Sequence, residues 1–148
     1  MNCQATDGME LTIMKELRPY DKPIRGLETM EFQAGLFDSI PYTKQAEELL
    51  DYIDSADQYK KMTADLAAMY KRQDLDQIDE ISRKDDPAMN GYMDLLLYDR
   101  NRKWAKNLDT LLSKKSLLIA VGAAHLPGKD GLIDLLRKDG YTLTPVKN

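Results

Sequence analysis

The sequence predicts an α/β domain: a small, partly parallel sheet with a C-terminal βαβ unit and a large helical insertion at about 39–86. Three observations lead there. Leu117-Leu118-Ile119-Ala120-Val121 is a continuous apolar run, the pattern of a strand buried on both faces. Tyr141–Val146 reads as a second strand, and the helical pattern of Leu132, Leu135 and Leu136 lies between the two. Strand, helix and strand in that order make a parallel pair with a right-handed crossover. Upstream of this unit, apolar residues recur at steps of three and four, the period of helices packed on one face.

Taken in order, Met9, Ile13 and Leu17 mark an amphipathic helix that Pro19 ends. Lys22–Leu27 has the character of a short strand, since Pro23 favours an edge or a strand start. Thr29 is placed to cap a helix through Phe32, Leu36 and Phe37. Ser39-Ile40-Pro41 breaks the chain and opens the next helix, with Ala46, Leu49, Leu50 and Ile53 expected inward. Helices over Tyr59 to Tyr70 and through Leu75, Ile78 and Ile81 complete the insertion, their charged residues forming solvated faces. Asp85-Asp86-Pro87 then opens the longest helix, from about Ala88 to Ser113. Met93, Leu97, Arg100, Trp104, Leu108 and Leu111 form its stripe, and Arg100 alone among them is charged. A guanidinium there is costly unless a carboxylate or several carbonyls meet it. Gly122–Gly128 forms a loop, and Gly140 is a natural helix C-terminal residue.

Composition narrows the function. The 148 residues form one domain, 1–148, with no repeat or linker to divide it. Hydrophobic residues at 43% and charged residues at 31% place the chain among globular sequences rather than disordered ones. A net charge of -4 with intermixed signs carries no footprint for nucleic acid. A single cysteine, Cys3, excludes an internal disulfide framework, and a single histidine, His125, excludes a three-histidine zinc site within one chain. No stretch approaches the length of a transmembrane segment. Met1–Ala5 lacks the regions of a secretory signal, so a cell-envelope location would require a longer precursor.

Ligands of open α/β sheets gather beyond the carboxyl ends of the strands. Glu28 and His125 fall at two such ends, and Arg100 can reach the same crevice from its helix. Neutral His125 can ligate a metal, move a proton, or simply be hydrogen-bonded within its loop. Glu28 can act as ligand or base, or complement a helix dipole. Arg100 can hold an anion or a structural carboxylate.

Three stretches together resemble the TraB/GumN family, which is related to the pheromone-shutdown protein PrgY and the Tiki proteases. They are Gly26-Leu27-Glu28-Thr29 followed by Gln33, Tyr98-Asp99-Arg100-Asn101 with Trp104, and Val121-Gly122-Ala123-Ala124-His125-Leu126-Pro127-Gly128 followed by Gly131 and Gly140-Tyr141. The family carries two Gly-x-x-His motifs, a glutamate and an arginine. Gly122–His125 matches the second motif, and Glu28 and Arg100 match the glutamate and the arginine. Asp99 stands where many members have glutamate. The first Gly-x-x-His has no counterpart, so the chain is expected to be a carboxy-terminal half. The resemblance implies a metal-dependent, peptidase-like hydrolase that is not active as this piece, with Glu28, Arg100 and His125 catalytic. It further implies Asn101 and Gly122 at the substrate, and His125 and Glu28 at a divalent metal (Mn, Co or Zn) in the full-length protein. Tight metal binding by this chain is not expected. The alternative is a non-catalytic module that binds a ligand, peptide or partner; a third reading is a helical scaffold. The expected substrate is a peptide or other small molecule. A half-fold should expose an edge that a two-fold homodimer closes.

Overall fold

Pro19 and Pro41 punctuate the amino-terminal half, because each lacks the amide hydrogen that a helix interior needs. In the computed structural model, which describes residues 8–84 and 91–146, helix α1 (Met9–Leu17) tightens into a 3-10 turn at Arg18–Tyr20. Helix α2 (Met30–Asp38) is capped by Thr29, whose hydroxyl accepts the Phe32 amide at 3.1 Å. Helices α3 (Tyr42–Asp54), α4 (Ala56–Lys71) and α5 (Leu75–Lys84) follow. A π-helical turn at Asp94–Tyr98 runs directly into α6 (Asp99–Leu112). The expected start of this helix near Ala88 lies outside the described residues. Helix α7 (Leu132–Lys138) stops before Gly140, whose φ of 94° suits the left-handed end of a helix.

The α/β expectation is overturned. Among the described residues there is no strand and no sheet. Residues 22–26, 117–121 and 141–146 are non-helical, as expected of strands. Among the described residues, however, no backbone hydrogen bond joins these segments to one another. A strand exists only through a neighbour about 4.8 Å away across a ladder, and apolar content does not supply that neighbour. Leu118, expected to be buried, is 73% exposed. The βαβ unit is therefore an irregular segment, a loop, α7 and a second irregular segment. The idea of a helical insertion on a sheet falls with the sheet, although the helices of 39–86 are present as α3, α4 and α5.

A second correction concerns α3, whose Leu49, Leu50 and Ile53 face solvent, each 60% exposed. Helical spacing identifies an apolar face but not what covers it. A buried core lies instead where α6 packs against α7: Trp104 and Ala105 cluster with Leu132, and Leu108 and Leu136 are buried on the same two helices. Leu27 and Val121 fill the side of this core, which brings the ends of two irregular segments to α6. Helix α5 packs on the turn 123–125. Among the described residues no helix is long and apolar enough to cross a membrane.

Candidate functional site

Glu28 and Arg100 meet across a sequence separation of 72 residues. The turn carrying Glu28 is tight: a Cβ on Gly26 would stand 2.6 Å from the Glu28 carbonyl oxygen. Arg100 occupies the first turn of α6, next to the π-helical widening, a feature often found beside functional residues. Its Nε donates to Glu28 Oε2 at 3.1 Å and its Nη2 donates to Glu28 Oε1. Its Nη1 donates to the Leu96 carbonyl at 2.7 Å. The fork answers the sequence puzzle of a guanidinium on an apolar stripe, because planar bidentate pairing satisfies most of its donors at once.

His125 closes a 3-10 turn (Ala123–His125) after Gly122, with its amide donating to the Gly122 carbonyl at 2.9 Å. The residue is buried, and its Nδ1 lies 2.7 Å from Asn101 Oδ1. Its ring packs 4.6 Å from the Trp104 ring, and the Arg100 guanidinium carbon lies 4.9 Å from that same indole. Trp104 is thus the common floor under the ion pair and the imidazole. Burial pushes the His125 ring down to about 4, with the Arg100 charge adding to the shift and the Glu28 charge opposing it. The ring is therefore neutral at physiological pH.

Glu28, Arg100 and His125 form one cluster. Asn101 is next to them but has no exposed surface, and its amide is engaged by protein atoms. Gly122 is exposed beside His125, and a Cβ there would meet His125 Cδ2 at an ordinary 3.7 Å. Of the two glycines flanking the loop, only Gly128 has a left-handed φ, 81°; Gly122 sits at −60°. Two contributors escaped the sequence reading. Asp130 accepts from Asn101 through its carbonyl at 2.8 Å and from Arg102 through its carboxylate at 3.0 Å. Arg102 also reaches Asp94 and Asp99, which ties the start of α6 to the loop. Gly131 leaves no room for a side chain: a Cβ would lie 2.0 Å from the Pro127 carbonyl oxygen. Gly131 belongs to the run that carries the family resemblance, and the steric reason for a glycine there comes from the fold. The indole Nε1 of Trp104 is buried and has no hydrogen-bond partner among the described residues.

The sequence profile of the TraB/PrgY/gumN family matches residues 1–145. The chain belongs to that family. Among characterised relatives, it is 36% identical over 55 residues to a "Metalloprotease TIKI homolog" of Nematostella vectensis, covering 35% of this chain and 12% of that one. It is 35% identical over 51 residues to the homolog from Amphimedon queenslandica, covering 32% and 10%. Metalloprotease TIKI2 of Danio rerio is 25% identical over 114 residues, covering 74% of this chain and 18% of the relative. The chain thus spans between 10% and 18% of the length of these relatives. No solved structure matches it with comparable significance.

The names of these relatives imply a metal, and the described residues do not make a centre for one. Among them, no group of three or more His, Cys, Asp or Glu side chains is placed to hold an ion. Both oxygens of Glu28 are engaged by Arg100. One imidazole and one neutralised carboxylate fall short of the three or four ligands of a transition-metal site.

Proposed function

We propose that this chain carries the Glu28–Arg100–His125 portion of a peptidase-like hydrolase centre of the TraB/PrgY/gumN family. The observation that carries this reading is the meeting of three remote residues on Trp104: a forked Glu28–Arg100 pair and a neutral imidazole. In that role His125 accepts a proton or a cation at a ring nitrogen, and Arg100 offers its charge to developing negative charge. Glu28 holds Arg100 in place with both of its oxygens, which leaves His125 as this chain's candidate metal ligand. Gly122, exposed beside the imidazole, places no side chain between His125 and a peptide backbone lying on that side. The shortage of ligating side chains favours one second reading, a module that binds a peptide without cleaving it. The exposed apolar face of α3 further supports a two-fold homodimer.

The test combines calorimetric titration of the chain with Mn²⁺, Co²⁺ and Zn²⁺ and mass-spectrometric detection of cleavage of unstructured peptides. Weak metal uptake that disappears in His125→Ala is expected, with little turnover until a polypeptide carrying the family's first Gly-x-x-His is added. Peptide binding that never becomes cleavage in that mixture would favour the binding module. Metal uptake unchanged in His125→Ala would remove His125 from the centre.

A further inference from the structure

We infer that Asn101 is a positioning residue that sets the tautomer of His125, so that the proton sits on Nδ1 and Nε2 carries the free lone pair. Asn101 is 0% exposed, and its amide has one orientation consistent with its neighbours. Nδ2 donates to two carbonyl oxygens, that of Asp130 at 2.8 Å and that of His125 itself at 3.3 Å. A reversed amide would set its oxygen against both carbonyls, an arrangement of acceptors alone. Oδ1 therefore faces the imidazole, 2.7 Å from Nδ1. An amide oxygen only accepts, so Nδ1 must donate, and a neutral ring then has its lone pair on Nε2.

The grip has two ends. Asn101 binds the backbone carbonyl of His125 as well as its ring, so it fixes both the position of the residue and the face it presents. It is anchored in turn by Asp130, whose carboxylate is tied to Arg102 one residue further along α6. One turn of α6 thus supplies Arg100 to Glu28, Asn101 to His125 and Arg102 to the loop, with Trp104 beneath. The consequence is chemical. His125 meets its ligand as an electron-pair donor, so the ligand class is a cation or a group with an N–H or O–H to give, and a bare carboxylate is disfavoured. This inference rests on the reading of His125 as the working group of the site. The tautomer can nevertheless be measured whether or not the chain hydrolyses anything.

The chain has one histidine, so the long-range ¹H–¹⁵N spectrum of the uniformly labelled protein at neutral pH shows a single imidazole. An imidazole free in water favours the proton on Nε2; the expected result here is the opposite, a pyrrole-type Nδ1 and a pyridine-type Nε2. A pyridine-type Nδ1 in the unmodified chain would overturn the inference. Asn101→Ala, if its circular dichroism matches the parent, should move the population toward Nε2–H; a folded Ala variant with the parent tautomer would overturn the role of Asn101. Asn101→Asp keeps an acceptor against Nδ1 at the same size and should retain the Nδ1 proton. Loss of that proton in a folded Asp variant would also refute the assignment. A residue that merely filled space would leave the nitrogen shifts unchanged.

Discussion

Removing one side of the Glu28–Arg100 pair should destabilise the protein more than removing both sides together. The two side chains are 10% and 11% exposed, so each charge depends on the other for most of its solvation. In Glu28→Leu the guanidinium keeps its bond to the Leu96 carbonyl at 2.7 Å but faces Trp104 and a neutral His125 without a counter-charge. In Arg100→Met the carboxylate loses both of its donors. Stripping one partner from a buried pair costs about 3–5 kcal/mol, whereas exchanging both for apolar groups of similar volume is often near neutral. Against a typical total of about 5–15 kcal/mol, either single change would remove a large share of the stability. With urea slopes of about 1–3 kcal/mol/M, a loss of about 3 kcal/mol moves the midpoint down by about 1–3 M. The assay is urea unfolding followed by the fluorescence of Trp104, the sole tryptophan of the chain, with far-ultraviolet circular dichroism as a second probe. The Glu28→Leu/Arg100→Met double variant should lie above both singles. Single losses below about 1 kcal/mol that simply add in the double would show a solvent-screened pair and refute the buried arrangement.

Acid should weaken the fold through His125. Its folded-state value is lowered from 6.5 to about 4, so the unfolded chain takes up the proton first. The contribution is intact above about pH 6.5, is lost by up to about 1.4 kcal/mol per pH unit on the way down to about 4, and changes no further below that. Urea midpoints across that range should fall less steeply in His125→Gln than in the parent; equal slopes would contradict the burial of the ring. Gly131→Ala should cost about 2–4 kcal/mol by thermal unfolding because its Cβ has no space, while Gly122→Ala should stay within about 0.5 kcal/mol. Light scattering should report twice the monomer mass, since Leu49, Leu50 and Ile53 of α3 present an uncovered apolar face. The dimer should persist in moderate salt, which screens ion pairs but not apolar burial, and a strict monomer under all conditions would refute it.

Local chemistry was legible from the residues. Thr29 as a cap, Pro41 as the start of a helix, the breaks between α3, α4 and α5, and Gly140 past the end of α7 all follow from interactions within a turn or two of each residue. Arg100 was conspicuous as a charge on an apolar stripe, and the ordered motifs around Glu28, Arg100 and His125 pointed to the family. What the residues left open was partnership over distance. An apolar run such as Leu117–Val121 has the same sequence whether or not another segment lies beside it, and here it joins no ladder among the described residues. Leu49, Leu50 and Ile53 keep their helical spacing whether or not anything covers them. The partner of Arg100, 72 residues away, and the carbonyl of Asp130 that orients Asn101 appear only once α6 is packed against the Glu28 turn and the loop before α7. Hydrogen-bonded pairs distant in sequence have no local signature, because their free energy comes from desolvated groups that the folded chain alone brings together.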